Sequence, residues 1–174
     1  MNKPNTDPAR KTSGSALFKQ GMRTLTGGVT VIGAYGADDA LMAMTATAVT
    51  SLTADPPSLL VCVNRSASMA VALVRLARFS VNVLTADQID IAKAFGGQLE
   101  VRGAGRFIHG DWRRVDDTKV PLLIGARVSF ECEVSHVHEW ATHHIVIGSV
   151  LDVHLSPIVS QSLAYTDGKY HAVG

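Results

Sequence analysis

Between Met44 and Pro57 the chain reads MTATAVTSLTADPP, in which Thr45, Thr47, Thr50, Ser51 and Thr53 place five hydroxyl groups within nine consecutive positions. Hydroxyls, together with backbone N–H groups at a strand end or turn, can surround a phosphate or the polar edge of a ring without bringing a full charge of their own. The same run also suits a Thr-rich strand with one face in water, because Thr is a good strand former. A little further on, LLVCVNRSAS closes an apolar run with Asn64, Arg65, Ser66 and Ser68. Strand ends are where polar groups leave the core and meet ligands. Arg65 can face a phosphate there or simply sit in solvent.

Four of the seven histidines fall at His136, His138, His143 and His144. In an extended strand His136 and His138 share a face. No Cys or third ligand at suitable spacing completes a set with them, so no metal is expected. Asp38, Asp39, Asp116 and Asp117 read as turn or surface acids. Neither a Ser/His/Asp constellation nor a paired-carboxylate one is visible. The glycine-rich signatures G-x-G-x-x-G and G-x-x-x-x-G-K-[ST] are absent, so any bound nucleotide needs another kind of phosphate cradle.

The 174 residues suit one domain, with 47% hydrophobic residues for a core and only 18% charged. Low charge with abundant apolar surface points to burial inside the domain or against a second copy of the chain, so a homodimer is expected. A net charge of +1 without a dense Lys/Arg run gives no reason to expect a nucleic acid or an anionic membrane as partner. Cys62 and Cys132 sit inside apolar runs and read as small hydrophobes rather than as a disulfide. The N-terminal residues lack the apolar stretch of a secretory signal, and no apolar run approaches the roughly 20 residues of a membrane span. A cytoplasmic setting is the expectation.

Residues 1–14 read as a polar, frayed tail, and residues 15–174 as one domain. SALFKQGMRTL spaces Leu17, Phe18, Met22 and Leu25 as one face of a short helix, capped at Ser15, stopped by Gly27 and Gly28, and covering a sheet edge or end. VTVIGAY and Leu41–Thr45 form a hairpin across GADDAL, and SLLVCVNR forms a central strand ending at Asn64. Helices follow at Ser68–Ala77 and around QIDIAKAFG, with the strand FSVNVL between them. The segment up to Pro121 is an irregular, glycine-rich excursion in which Trp112 buries an apolar face as an anchor. GARVSFECEVSHVHEW and HHIVIGSVLDVHL alternate as two long antiparallel strands, and Asp167–Gly168 turns a last pair of extended pieces. The helices are too few for repeated βαβ units, so the expected fold is mainly β: an antiparallel, Greek-key-like barrel with short peripheral helices.

Six segments in register, FKQGMRTLTGGVTVI, MTATAVTSLTADPPSLLVCVNRSAS, RFSVNVLTADQIDIAKAFGG, RFIHGDW, PLLIGARVSFECEV and HHIVIGSV, make the chain similar to the flavin reductase-like family of FMN-binding split-barrel proteins. The resemblance implies NAD(P)H-dependent reduction of flavin, often in the service of a two-component flavin monooxygenase, and two subunits that build the sites at their interface. It implies FMN, with FAD an alternative, as the flavin and NADH or NADPH as co-substrate. It further implies flavin contacts at Thr45, Ala46, Thr47, Thr50 and Ser51, at Cys62, Val63, Asn64, Ser66 and Ser68, and at Phe95 and Gly96. His143 matches the His of the family's Gly-Asp-His-Thr-Ile-like motif and is the candidate catalytic residue, although Ala141, Thr142 and His144 replace its neighbours. Arg106 and Phe107 match an Arg-Phe region near the cofactor and the subunit boundary.

Hydride transfer asks little of side chains, since the protein's work is to stack two flat rings at reacting distance. Three functions stay open: a reductase with exchangeable FMN, a flavin-binding or delivery protein without turnover, and an oxidoreductase that keeps FMN tightly and acts on another small molecule.

Overall fold

The structure is a computed structural model describing residues 8–36, 38–75 and 77–174, with side chains described from Gly14 onward. Twelve strands are formed among these residues: β1 (Gly27–Gly28), β2 (Thr30–Tyr35), β3 (Leu41–Ala46), β4 (Val49–Ala54), β5 (Pro57–Asn64), β6 (Arg78–Val83), β7 (Trp112–Arg114), β8 (Pro121–Leu123), β9 (Val128–Trp140), β10 (His143–Leu155), β11 (Ser162–Thr166) and β12 (Lys169–Val173). The helices are α1 (Pro8–Arg23), α2 (Ser68–Arg75) and α3 (Ile89–Phe95), with 3-10 turns at Ala86–Gln88 and Gly103–His109.

Seven strands make one antiparallel sheet in the order β3-β2-β6-β9-β10-β5-β4. Its two edge strands, β3 and β4, follow one another in the chain with only Thr47 and Ala48 between them. So short a link forces the sheet to curl until its edges meet, yet no ladder joins β3 to β4 among the described residues. The result is the expected mainly β, split barrel with peripheral helices.

The strands alternate as the sequence pattern requires. Phe79 and Val81 of β6 point into the barrel, where they meet Ile32, Val61, Val63, Val146 and, from α2, Met69 and Leu73. The intervening Ser80 and Asn82 are also fully buried, because β7 and β8 lie over them. Asn82 Oδ1 accepts from the Leu123 N–H at 3.0 Å and the Ser129 hydroxyl at 2.7 Å, while its Nδ2 donates to the Val31 carbonyl at 3.1 Å. Beside this seam Glu131, 2% exposed, accepts from the Thr118 hydroxyl and lies 2.5 Å from His154 Nε2. Buried polar groups with such partners fix the excursion to the barrel instead of opposing burial.

A second cluster, built on Val29, Val31, Leu84, Ile91, Phe95 and Leu163, joins the barrel to α3 and the C-terminal hairpin β11–β12. Gly148 is required where it stands: a Cβ there would lie 2.6 Å from Cζ of Phe79.

Two expectations are corrected. The N-terminal helix begins at Pro8 instead of Ser15, consistent with the ease with which Pro occupies a first helical turn; residues 1–7 of the expected tail lie outside the described residues. Its apolar stripe does not cover a sheet edge within the chain. Leu17, Phe18 and Met22, with Leu25 just beyond the helix, are all exposed, because α1 meets the domain through its C-terminal end, where the Arg23 carbonyl accepts from the Asp167 N–H at 2.7 Å.

Candidate active site

The open seam between β3 and β4 carries the hydroxyl-rich run. An edge strand has backbone N–H and C=O groups that pair with no neighbour, so this seam offers donors and acceptors that no internal strand can. Thr45 and Ala46 end β3, Thr47 and Ala48 make the crossing, and Thr50 and Ser51 lie in β4. The two halves open onto different hollows.

On the β3 side a cavity of about 170 Å³ is lined by Thr45, Ala46, Thr47 and Gly96 together with Val29, Gln98, Tyr165 and Tyr170. On the β4 side Thr50 and Ser51 stand at a larger cavity of about 400 Å³, whose wall is apolar through Val49, Leu59, Val81, Phe130 and Val150. Apolar wall and hydroxyl rim together are what a flat ring with a polar edge needs.

Three of the expected residues have side chains that already hold partners within the fold. Thr45 does not hold its hydroxyl free for a phosphate: Oγ1 donates to the Ala92 carbonyl at 2.8 Å, tying β3 to α3. Val63 is 0% exposed, its side chain committed to the barrel core. Phe95 is 4% exposed, packed 5.0 Å from the Phe107 ring and edge-on to Trp112 at 5.8 Å, so it anchors the 103–114 excursion. By contrast Thr47, Thr50 and Ser51 are exposed, and Cys62 is partly exposed.

Asn64 and Ser66 are brought together at the end of β5, where Asn64 Oδ1 accepts from the Ser66 N–H at 2.9 Å and hydroxyl at 2.8 Å. This local turn exposes both residues. Ser68 starts α2 at another hollow, of about 200 Å³, with Met42, Val71 and Arg75. Ser68 is therefore separated from Thr45–Ser51 in the cavities it lines.

His143 opens β10 directly opposite Asn64. It is exposed, and its Nδ1 lies 2.9 Å from the Thr142 hydroxyl. Alternation sends the next residue inward: His144 is 7% exposed, with Nδ1 unpartnered and 3.9 Å from Glu139 Oε1. The turn before them holds Ala141 at a φ of 48°, a left-handed conformation natural to glycine.

Sequence reading missed Gln98, Tyr165 and Tyr170, which the C-terminal hairpin and the segment after α3 bring to the smaller cavity. Burial pushes the Tyr170 phenol above its ordinary range, the Tyr165 phenol adds to this, and a hydrogen bond with Gln98 opposes it. Tyr170 thus faces the cavity as a neutral group. The available signal was the pair of aromatics flanking Asp167–Gly168, which places Tyr165 opposite Tyr170.

Residues 22–174 match the model of the flavin reductase like domain. The chain is 37% identical over 156 residues to the FMN reductase (NADH) RutF of Stutzerimonas stutzeri, covering 90% of this chain and 87% of the relative. It is likewise 37% identical over 156 residues to the reductase component of the FADH(2)-dependent resorcinol hydroxylase of Rhizobium sp., covering 89% and 85%. Among solved structures, the NADH:FAD oxidoreductase SgcE6 of Streptomyces globisporus, in complex with NAD and FAD fragments, superposes with a TM-score of 0.79 at 28% identity, covering 96% of this chain and 94% of that one. With the split barrel and the hydroxyl-lined seam in place, the match over nearly the whole chain makes this protein a member of the flavin reductase-like family, the NAD(P)H-dependent reductases that include components of two-component flavin monooxygenases.

Proposed function

We propose that this protein passes a hydride from NADH or NADPH to N5 of FMN, holding the flavin as an exchangeable substrate. The observation that carries this reading is the seam between β3 and β4, where exposed Thr50 and Ser51 and an unpaired strand edge adjoin an apolar hollow of about 400 Å³ and exposed Thr47 lines the smaller cavity beside it. Bound flavin supplies the hydride-accepting ring, and the protein supplies an apolar wall, donors for the polar edge and exclusion of competing geometries. Thr47, Thr50 and Ser51 at the rims are exposed, which suits a ligand that enters and leaves.

His143 is assigned a hydrogen-bonding role at the rim. Its only side-chain partner among the described residues is the Thr142 hydroxyl. No carboxylate pairs with it among the described residues, so orienting a ligand, not moving a proton, is the role assigned to it. The exposed stripe of Leu17, Phe18, Met22 and Leu25 supports a homodimer, since a contiguous apolar face of this kind is normally covered. Light scattering that gives a monomer mass at micromolar protein overturns that part.

A monooxygenase is the proposed receiver of reduced flavin, a reading supported by one relative's being the reductase component of a hydroxylase. The test of the main reading is absorbance at 340 nm with purified protein, NADH or NADPH, and stepwise FMN or FAD under air. Nicotinamide loss that saturates with flavin establishes the reductase. Flavin binding without nicotinamide loss favours a delivery protein, and a yellow protein as purified favours a tightly held cofactor.

A further inference from the structure

The carboxylate of Glu131 is 2% exposed, and no Lys or Arg pairs with it among the described residues. Hydrogen bonds satisfy its oxygens: Oε2 accepts from the Thr118 hydroxyl, and Oε1 lies 2.5 Å from His154 Nε2. The charge is a separate matter, because a buried carboxylate needs a positive group beside it. His154 Nε2 also lies 3.6 Å from Oδ2 of Asp152, and one ligand atom from each of Glu131, Asp152 and His154 falls within 4.8 Å of the other two. A bulge creates this meeting. Val146 and Val150 face the barrel, and strict alternation along β10 would send Asp152 and His154 the same way. The register shift between Val150 and Asp152 leaves Leu151 over and reverses the parity, so Asp152 stands opposite Glu131 and His154 opposite Ser129 on the outer face.

We infer that Glu131, Asp152 and His154 form a binding site for a divalent transition ion, with zinc the best match. Two carboxylates balance the two charges of the ion, which gives buried Glu131 its counter-charge, and an imidazole nitrogen selects a transition metal over magnesium or calcium. Ligand atoms bound to a tetrahedral zinc stand about 3.4 Å from one another. Asp152 and His154 are already near that spacing. His154 withdraws from Glu131 by about 0.9 Å to reach it, as the ion takes the place of the bridging proton. Asp152 is exposed and His154 half-buried, so both adjust from the solvent side, while the Thr118 hydroxyl holds the Glu131 carboxylate in orientation. Three protein ligands leave a fourth position for water. The site shares no residue with the seam and lies at the opposite end of β10 from His143, so it stands apart from the flavin reading.

The experiment titrates zinc chloride into the full chain, stripped with EDTA and freed of it by gel filtration, and follows the heat by calorimetry without flavin or nicotinamide. The parent is expected to take up one ion per chain and to melt at a higher temperature with zinc present. Asp152→Asn and His154→Gln should each weaken zinc binding at least about tenfold, and Thr118→Val, which lets the Glu131 carboxylate turn, about tenfold. Metal-free melting of the Asp152 and His154 variants should match the parent's, which separates lost ligation from lost fold. The double change His136→Gln and His138→Gln, at the exposed pair on β9, should leave zinc binding as it is. A parent that takes up no zinc overturns the site and leaves Glu131 balanced by a protonated His154. Uptake that survives both Asp152→Asn and His154→Gln, or that the His136 and His138 changes abolish, overturns it as well.

Discussion

The hydroxyl of Thr45 donates to the main-chain carbonyl of Ala92 across 2.8 Å, bridging 47 positions of sequence. That carbonyl also accepts the Gly96 N–H at 2.9 Å, so one oxygen joins the edge strand to the end of α3 and to the wall of the smaller cavity. Thr45→Val keeps the β-branched shape and removes the donor. The expected cost is about 1 kcal/mol in urea unfolding, with flavin affinity reduced several-fold as Gly96 loosens. Unchanged affinity in a correctly destabilised variant separates this bond from the site.

Thr50 and Ser51 stand exposed at the rim of the larger cavity, and neither hydroxyl is committed to a distant partner. The double change Thr50→Ala and Ser51→Ala is expected to raise the flavin dissociation constant about tenfold or more, since a hydrogen bond to a charged group contributes about 1.5 to 3 kcal/mol. Circular dichroism should show the fold intact. A flavin titration that superimposes on the parent curve moves the phosphate elsewhere.

Gly148 lies beside a bulge in the β9–β10 pairing and faces Phe79 at a separation no Cβ tolerates. Gly148→Ala should therefore cost about 1 to 3 kcal/mol through displacement of the buried ring. Pairing it with Phe79→Leu should return part of that loss, and a strictly additive double variant would show that the two positions do not meet.

Burial, with the Glu131 carboxylate beside it, pushes the Cys132 thiol up from 9.0 to about 12. In the unfolded chain the thiol ionises from about pH 8.5 to 9 upward, while in the folded chain it stays protonated. The unfolded state then binds fewer protons, so stability falls as pH rises between about 9 and 12, by up to about 1.4 kcal/mol per unit. Cys132→Ala should flatten that alkaline limb in denaturant titrations taken at several pH values. An equally steep limb in the variant assigns it to other groups.

Local pattern made the long strands legible. Alternation along β9 and β10 follows directly from which residues seek the core, and the hydroxyl-rich run is contiguous in sequence, so both could be read without tertiary knowledge. What could not be read was set by distant partners. Spacing identifies the apolar stripe of Leu17, Phe18 and Met22 but carries no information about what covers it. Nor does it reveal that the Thr45 hydroxyl is already taken, or that Tyr165 and Tyr170 reach Thr47 from the far end of the chain. For His143 and His144 the period of two says that one points inward, and only the register with β5 decides which.

The barrel closes through a two-residue link, with no ladder between β3 and β4 among the described residues, and this has a consequence for handling. A ligand lodged there acts as a clasp, so the flavin-saturated protein should melt at a higher temperature than the stripped one, by an amount that grows with the logarithm of flavin concentration. With the clasp removed, the exposed β4 strand presents its unpaired edge to other molecules, and a free strand edge invites sticking between copies. Dialysis against flavin-free buffer is thus the step at which turbidity should first appear, and a small excess of flavin in storage should prevent it.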